Sequence, residues 1–324
     1  MPNAIRFHQT GGPEVLRWES VEVGAPGAGE VKLKQVACGL NFIDVYHRTG
    51  LYPVPLPSGI GLEGAGVVDS VGEGVTGLKA GDRVAYAGGP IGAYAEVRLI
   101  PADRLIKLPE SLSFETGAGM MLQGLTAAYL LRKTYRVQPG DAVLVQAAAG
   151  GVGTIATQWA KALGATVIGT VSNEAKAEQA RANGCDHVIL YSSENVAARV
   201  REITGGEGVA VVYDGVGKDT FTGSLDSLRQ RGMMVSFGNA SGPVAPFDPL
   251  LLSAKGSIFI TRPTLMHYIG KRSDLEELAG ELMEVVVSGK VKIAVNHRYA
   301  LKDAAQAQID LEARRTTGSV VLLT

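Results

Sequence analysis

A turn of closely spaced glycines joins an apolar run to a helical run in the middle of the chain, and no other feature restricts the fold as strongly. Val143-Leu-Val precedes the turn, and Gly150, Gly151 and Gly153 lie within it. Glycine permits positive φ and a close approach to backbone N–H groups, and the N-terminus of a helix favours an anion. With a strand before it and a helix after it, the turn indicates the diphosphate cradle of a dinucleotide.

The pattern of predicted secondary structure changes near residue 125 of the 324. Before this point, short β-rich segments alternate with Gly and Pro turns, which predicts a small, partly open barrel. After it, strands alternate with helices, which predicts a doubly wound parallel sheet of the α/β class. Its six strands are expected at 143–147, 166–171, 187–190, 210–214, 233–237 and 257–262.

The end of the chain defines the domain organisation. The apolar run from Gly318 to Leu323 is expected to return as a strand to the first domain. We therefore predict one domain formed by 1–124 and 263–324, into which a nucleotide-binding domain, 125–262, is inserted. Such an insertion predicts a cofactor site in a cleft between domains.

Charge, cysteine content and hydropathy restrict the partners and the compartment. The 31 basic and 32 acidic residues give a net charge of −1, which provides no field to attract nucleic acid. Two cysteines, Cys38 and Cys185, are too few for a disulfide framework and indicate a reducing compartment. No signal peptide is recognisable, and no apolar run reaches the roughly 18 residues of a membrane span. A cytoplasmic protein without membrane contact is expected.

Further motifs extend over the whole chain, and together they are more specific than the glycine turn. They are Cys38-Gly-Leu-Asn-Phe-Ile-Asp44, Tyr46, Tyr52, Gly59-Ile-Gly-Leu-Glu-Gly-Ala-Gly66, Gly81-Asp-Arg-Val84, Ala148-Ala-Gly-Gly-Val-Gly153, Val212-Tyr-Asp-Gly-Val-Gly217, Val235-Ser-Phe-Gly238 and Thr261-Arg-Pro263. With these motifs the chain resembles the zinc-free medium-chain dehydrogenases/reductases, and within them the NADPH:quinone oxidoreductases that include zeta-crystallin. The resemblance implies a GroES-like catalytic domain, a Rossmann domain and a homodimer.

The positions that hold zinc in metal-dependent relatives carry other residues here. The resemblance matches Asn41 to a cysteine ligand and Leu62 to a histidine ligand, and residues 85–110 contain no cysteine. Zinc in proteins takes thiolate, imidazole or carboxylate ligands, so no metal is expected. Hydride transfer to a conjugated acceptor is then favoured over alcohol dehydrogenation, which relies on a metal to lower the hydroxyl pKa.

The end of the second Rossmann strand determines which cofactor phosphate is accepted. This end reads Ile168-Gly-Thr-Val-Ser172 and has no acidic residue to bond the ribose hydroxyls or repel a 2′-phosphate. The resemblance implies that Ser172, Lys176 and Tyr191 bind the 2′-phosphate and that the cofactor is NADPH. Lys176 is alternatively a solvated helix residue. Glu174 departs from the pattern, because its carboxylate weakens a preference for NADPH unless it points away.

The resemblance also implies which side chains lie at the reactive end of the cofactor. Asn41 is expected to bond the nicotinamide carboxamide or ribose, and Thr126, expected to open a helix, lies nearby. Tyr46 and Tyr52 offer flat faces for an aromatic acceptor and phenols that can donate to a developing quinol oxygen. Either tyrosine is alternatively a packing residue. The predicted catalytic residues are therefore Asn41, Tyr46 and Tyr52.

The remaining cofactor-binding residues are expected at the glycine turn, at later Rossmann strand ends and near the C-terminus. They are Gly150, Gly151, Val152, Gly153, Val216, Phe237, Gly238, Thr261, Arg262 and Arg314. Arg314 or its neighbour Arg315 either reaches the cofactor or faces solvent. Asp44 is expected to bond loop amides, and Glu63 to pair with a cation or to cap backbone groups.

Three functions fit these observations. The first is NADPH-dependent reduction of quinones or similar conjugated carbonyl compounds. The second is reduction of enoyl thioesters or enones on the same scaffold. The third is non-catalytic NADPH binding by a crystallin or an AU-rich RNA-binding protein, roles that the resemblance implies; nucleic acid is disfavoured because no basic cluster interleaves with aromatic residues.

The last Rossmann strand has consequences for assembly. Ser257-Ile-Phe-Ile-Thr261 is apolar and is expected at the edge of the sheet, where an unpaired strand needs to be covered. Pairing with its counterpart across a two-fold axis predicts a homodimer through this edge strand.

Overall fold

The computed structural model describes residues 1–324, which form sixteen strands and ten helices. The strands are β1 (Asn3–Phe7), β2 (Arg17–Ser20), β3 (Glu30–Leu40), β4 (Ser58–Gly59), β5 (Glu63–Val71), β6 (Arg83–Ala87), β7 (Val97–Pro101), β8 (Ile106–Lys107), β9 (Ala142–Val145), β10 (Thr166–Val171), β11 (His187–Leu190), β12 (Val209–Asp214), β13 (Leu228–Ser236), β14 (Phe259–Thr261), β15 (Val295–Ala300) and β16 (Ser319–Leu323). The helices are α1 (Phe42–Thr49), α2 (Phe114–Tyr129), α3 (Gly151–Ala162), α4 (Glu174–Ala182), α5 (Val196–Ile203), α6 (Phe221–Asp226), α7 (Leu250–Ala254), α8 (Leu265–Tyr268), α9 (Arg272–Val287) and α10 (Ala304–Glu312).

The chain divides into two compact units. The first comprises Met1–Leu125, Ile269–Met283 and Ile293–Thr324, and the second comprises Thr126–Tyr268 and Glu284–Lys292. The first is rich in antiparallel strands and the second in parallel strands with helices between them. The predicted α/β class, with a partly open β-barrel and a doubly wound sheet, is confirmed.

The sheet of the first unit is organised around the long strand β3. This strand pairs antiparallel with β5, β7 and β16, and the order of the larger sheet is β15-β16-β3-β5-β6-β8. Inward-facing residues such as Val31, Leu33 and Cys38 are fully buried in its core. Val320 of β16 lies opposite Leu40 of β3, so the chain end returns to the first unit as predicted.

Helix α2 is longer than the sequence indicated. The helix that Thr126 was expected to open begins instead at Phe114, after Ser113, whose Oγ accepts a hydrogen bond from the backbone N–H of Thr116 at 3.0 Å. Three helix-disfavouring glycines, Gly117, Gly119 and Gly124, obscured it in the sequence. Close packing explains them: a Cβ at Gly124 would lie 2.6 Å from a methyl carbon of Leu282.

The second unit has the predicted six-stranded parallel sheet. Its order is β11-β10-β9-β12-β13-β14, which is the Rossmann order 3-2-1-4-5-6 when counted from β9. The central strand β12 is buried along its whole length. Because β9 and β12 lie next to each other while their chain connections run in opposite directions, the carboxyl ends of these two strands form the switch point of the sheet.

Four strands of this sheet differ from their predicted bounds, β9 and β12 by one or two residues at an end and β13 and β14 by more. Strand β13 begins at Leu228 rather than at 233, because Leu228 already pairs with Val209 of β12; a register shift separates this pair from the next one, Val211 with Met233. Arg231 within this irregular segment has a φ of 59°, in the left-handed region. Strand β14 covers three residues only, Phe259 to Thr261. None of the ten helices combines the length and apolar character that a bilayer crossing demands.

Candidate functional site

The glycine turn of the second unit joins β9 directly to α3. Gly150 precedes the helix with extended backbone angles, φ −79° and ψ 175°, and its carbonyl accepts the first helical bond from Thr154 at 2.8 Å. The N–H groups of Gly151, Val152 and Gly153 have no carbonyl partner inside α3, because no helical turn precedes them. No acidic side chain lies in the first turn of α3. The turn therefore presents N–H donors and the positive end of a helix dipole.

Gly153 permits the close packing of this turn. A Cβ at this position would overlap the carbonyl oxygen of Ala147 and would lie 2.9 Å from the Cα of Ala148. Ala147 itself has a φ of 55°, a conformation that costs energy for a residue with a Cβ. Helix α3 can thus begin immediately beside the strand end only because residue 153 has no side chain.

A chain of buried polar groups supports the turn, and the sequence analysis did not identify it. The N–H of Ala147 donates to Thr170 Oγ1 at 3.2 Å, and Thr170 Oγ1 donates to Gln146 Oε1 at 2.6 Å. Gln146 Nε2 donates to Ser224 Oγ at 3.0 Å, and Ser224 Oγ donates to Asp214 Oδ2 at 2.7 Å. The chain crosses the carboxyl ends of β10, β9 and β12, so it connects the three strand ends where a Rossmann cofactor lies.

The structure brings the three predicted phosphate-binding residues to neighbouring strand ends. Val171 of β10 pairs with Leu190 of β11, so that Ser172 and Tyr191, the next residues along the two strands, are adjacent. Lys176 lies in the first turn of α4, where its N–H donates to Asn173 Oδ1 at 3.0 Å. Glu174, the departure from the pattern, forms an exposed ion pair with Arg181 at 2.6 Å.

The strand ends of β12 and β13 pack closely against each other. Asp214 accepts from the N–H groups of Val216 and Gly217 at 2.8 and 3.0 Å, and Ser241 donates to the Val216 carbonyl. The backbone groups of Val216 are therefore already engaged within the protein. A Cβ at Gly238 would overlap the carbonyl oxygen of Gly215, which explains glycine beside Phe237.

Thr261 ends the edge strand β14, and Arg262 follows it. Arg262 Nη1 donates to the Ser236 carbonyl at 3.1 Å, so its guanidinium holds the neighbouring strand end. Thr126 is buried inside α2 and does not open a helix, which corrects the expectation for this residue.

Arg314 and Arg315 follow the end of α10. Arg314 is exposed and has a φ of 58°. Its neighbour Arg315 bonds the Asp310 carboxylate.

The first unit brings Asn41, Tyr46 and Tyr52 together around α1. Asn41 is the residue before the helix, and its buried amide donates from Nδ2 to Glu63 Oε2 at 2.7 Å and accepts at Oδ1 from Gln123 Nε2 at 3.0 Å. The rings of Tyr46 and Tyr52 meet edge to face at 5.1 Å between centroids, and the Tyr52 N–H donates to the Tyr46 carbonyl. The two phenols thus form one aromatic pair, with Tyr46 buried and Tyr52 half-buried.

Two buried carboxyl groups lie beside Asn41. Asp44 accepts from the Asn41 N–H at 2.9 Å and from Tyr94 at 2.8 Å, so it has the expected structural role at the start of α1. Burial raises its pKa to about 7. Glu63 accepts from the backbone N–H of Leu122 at 2.7 Å as well as from Asn41, and burial raises its pKa to about 8. Of the two alternatives expected for Glu63, the structure shows the bond to a backbone group, and its donors are neutral rather than a cation.

The residues at the zinc positions do not fit a metal ion. The amide of Asn41 is engaged by Glu63 and Gln123, and Leu62 has an apolar side chain without a donor atom. Nowhere in the chain do three or more His, Cys, Asp or Glu side chains form a group that could hold a metal. Cys38 and Cys185 are both buried and free.

Comparison with known proteins agrees with this architecture. A family model described as the alcohol dehydrogenase GroES-like domain matches residues 27–110, and a model described as zinc-binding dehydrogenase matches residues 151–284. The second description names a metal for which the chain has no ligand set.

Individual relatives are similar over the full length. A quinone oxidoreductase of Pseudomonas aeruginosa is 52% identical over 100% of both chains. A 2-haloacrylate reductase of a Burkholderia species is 49% identical over 100% of this chain and 99% of its own. The crystal structure of Escherichia coli quinone oxidoreductase complexed with NADPH superposes with a TM-score of 0.98 at 50% identity, covering 99% of this chain and 100% of that one. The chain therefore belongs to the quinone oxidoreductase family of the medium-chain dehydrogenases/reductases.

Proposed function

We propose that the protein is an NADPH-dependent quinone oxidoreductase that works without zinc. One observation carries the proposal: a dinucleotide turn with no acidic side chain in its helix is accompanied by Ser172, Lys176 and Tyr191, and the nearby carboxylate of Glu174 pairs with Arg181 and does not end the strand. A carboxylate there would select the unphosphorylated cofactor. Two quinone oxidoreductases whose sequences are 52% and 50% identical to this chain, the second in complex with NADPH, support the same function.

The residues of the second unit fit NADPH. The glycine turn from Gly150 to Gly153 suits a diphosphate, because it presents N–H donors at a helix N-terminus and Gly153 lets that helix start beside the end of β9. Ser172, Lys176 and Tyr191 supply hydroxyl and ammonium groups for the 2′-phosphate. The other residues proposed to contact the cofactor are Asn41, Thr126, Val216, Phe237, Gly238, Thr261, Arg262 and Arg314.

The chain's own groups at the reactive end are Asn41, Tyr46 and Tyr52. When bound, NADPH supplies a hydride equivalent. The clamped amide of Asn41 is suited to orienting a carboxamide, because its donor and acceptor sides are fixed by Glu63 and Gln123. The edge-to-face tyrosine pair offers an aromatic face to a flat acceptor, and a phenol can donate a proton to a quinol oxygen.

The residues at the zinc-ligand positions also favour an acceptor that needs no Lewis acid. Metal-dependent relatives polarise an alcohol or carbonyl oxygen through zinc. Asn41 and Leu62 provide no zinc ligand. A quinone delocalises the charge that arrives with the hydride, so positioning by the protein supplies much of the rate, up to roughly 7–11 kcal/mol for a bound near-attack geometry.

We also propose domain boundaries, an oligomeric state and a cellular compartment. We assign the catalytic domain to residues 1–124 and 263–324 and the NADPH-binding domain to residues 125–262; the two compact units support this division except that 263–268 and Glu284–Lys292 cluster with the second unit. A homodimer through β14 is supported by the exposed apolar residues Phe259 and Leu250, which are 57% and 73% exposed. A cytoplasmic location is supported by two buried, unpaired cysteines.

A second candidate function is the reduction of a conjugated alkene acid, thioester or ketone. The observation that favours it is the 2-haloacrylate reductase at 49% identity, whose name describes an activated alkene substrate. A non-catalytic role in binding RNA has no such support, because the net charge is −1.

A substrate panel separates the two enzymatic functions. Purified protein with NADPH is expected to turn over 1,2-naphthoquinone with a kcat/KM at least about tenfold above that for crotonyl-CoA or 2-chloroacrylate, which corresponds to about 1.4 kcal/mol of transition-state preference. The measurement is NADPH consumption at 340 nm. A preference in the opposite direction would assign the protein to alkene reduction.

Replacement of Lys176 tests the choice of cofactor. Lys176→Ala removes the ammonium proposed to bind the 2′-phosphate, so the KM for NADPH is expected to rise by about tenfold or more, as loss of a charge-assisted hydrogen bond predicts. The KM for NADH should stay within about twofold, within the scatter of independent sites. Lys290→Ala, an exposed lysine of the same unit, is the control. Equal effects on both cofactors would contradict the assignment.

The edge strand predicts how the dimer can be broken. Phe259→Glu places a charge in the proposed β14 contact, so sedimentation velocity at micromolar concentration is expected to change from dimer to monomer. Val287→Glu, at a site of similar exposure (55%), should leave the dimer intact. A wild-type monomer, or a dimer that resists the Phe259 substitution, would refute the proposed interface.

A further inference from the structure

Glu63 is a buried carboxyl group for which the proposed function gives no role. It is the first residue of β5 and is fully buried. Its partners are the side chain of Asn41 and the backbone N–H groups of Leu122 and Met121, and none of them carries a charge. A buried carboxyl group without a cation is costly to keep ionised, so its presence beside a proposed catalytic residue calls for an explanation.

The hydrogen bonds around Asn41 fix which way its amide faces. An amide has an acceptor side and a donor side, and an ionised carboxylate can only accept. Glu63 therefore holds the Nδ2 side at 2.7 Å, and Gln123 Nε2 donates to the Oδ1 side at 3.0 Å. If the amide turned over, its oxygen would face the carboxylate and its nitrogen would face the Gln123 donor.

The same logic extends one residue further. Ser319 Oγ lies 2.8 Å from Gln123 Oε1 and 2.7 Å from the Gly119 carbonyl oxygen. The Gln123 amide therefore has its oxygen toward Ser319 and its nitrogen toward Asn41. The four side chains in this hydrogen-bonded series are all buried: Glu63, Asn41, Gln123 and Ser319.

The carboxyl group is also held sterically. A Cβ at Gly39 of β3 would overlap Glu63 Oε2 and would lie 2.6 Å from its Cδ, so the carboxyl group rests against the β3 backbone. Because β3, β5 and α2 all contact it, the Glu63 side chain has little freedom to follow a displaced amide.

We propose that Glu63 is a positioning residue that orients the Asn41 amide for the reaction proposed above. Glu63 acts through Asn41 and does not itself contact the reacting atoms. The proposal rests on the proposed function, because it assigns a task to Asn41.

The ionisation of Glu63 gives this role a pH dependence. Burial raises its pKa to about 8, against the opposing effect of the bonds from Asn41 and Leu122. Below that pH the carboxyl group gains a proton and loses part of its acceptor capacity, so the Asn41 orientation is held best above it. The other titratable or charged groups nearby are Asp44 on α1, Cys38 on β3, Tyr86 on β6 and Arg98, which donates to Tyr86.

A double-mutant cycle tests whether Glu63 works through Asn41. Glu63→Gln keeps the size but leaves one acceptor oxygen where the carboxylate has two, so at about pH 9, where Glu63 is ionised, kcat/KM for NADPH-dependent quinone reduction is expected to fall by about tenfold. In an Asn41→Ala background the same change should cost less than about twofold, because the amide to be oriented is gone. An equal loss in both backgrounds, or no loss in the first, would overturn the proposal.

A pH profile gives a second test. The ratio of kcat/KM for wild type to that for Asn41→Ala is expected to increase from about pH 6 to about pH 9, as Glu63 ionises. A flat ratio contradicts the proposal. Asp44→Asn is the control, since burial raises the pKa of Asp44 to about 7; if the rise disappears in that variant but persists in Glu63→Gln, Asp44 has the role instead.

Failure of the proposed function can be distinguished from failure of this inference. If wild type does not reduce quinones with NADPH, or if Asn41→Ala retains full activity, the proposed function or the role of Asn41 is wrong, and the inference is overturned with it. If Asn41→Ala is impaired while the cycle is additive, the inference alone fails.

Discussion

The carbonyl oxygen of Ala147 lies where a side chain on residue 153 would have to be, and this contact determines the geometry of the second unit's functional end. Because Gly153 has no side chain, α3 starts beside the end of β9 and directs its free N–H groups toward the end of the sheet. Ala147 adopts a left-handed conformation, with a φ of 55°, to make the turn. The cost of that conformation is met by the packing and hydrogen bonds around it.

Buried polar chains have a similar task in each unit. In the second unit, Thr170, Gln146, Ser224 and Asp214 connect three strand ends below the glycine turn. In the first unit, Glu63, Asn41, Gln123 and Ser319 connect helix and strand ends. A buried polar group that loses its partner costs about 1–3 kcal/mol, so each chain favours a single arrangement of its side chains. Each unit thereby presents its proposed functional groups in a fixed orientation.

The sequence predicted those features that local pattern controls. The six parallel strands, the glycine turn and the returning strand β16 all follow from periodicity and turn residues, and all are present. The predicted start of α2 was wrong, because Gly117, Gly119 and Gly124 lower the helix propensity of this segment. These glycines are there for tertiary packing, which the local sequence does not reveal. Strand β13 was likewise predicted too short, because a register shift does not change the hydropathy pattern of the sequence.

The polar chains could not be predicted in the same way. Asn41 was recognised as a candidate, but its partners Glu63 and Gln123 lie 22 and 82 residues away in the sequence. Ser319 is 196 residues from Gln123. Only the antiparallel pairing of β16 with β3 brings Ser319 close to Asn41. The one local signal was an acidic residue, Glu63, in an otherwise apolar and glycine-rich strand, where a carboxylate needs a specific partner.

The central claim is that the glycine turn binds the diphosphate of NADPH, and titration calorimetry of Gly153→Ala tests it most directly. The added methyl group must displace the turn, so the Kd for NADPH is expected to rise by at least about tenfold while the circular dichroism spectrum stays that of the wild type. Gly223→Ala, at a site with no atom within 4 Å of the new Cβ, should bind NADPH as the wild type does. Wild-type affinity in Gly153→Ala would contradict the account.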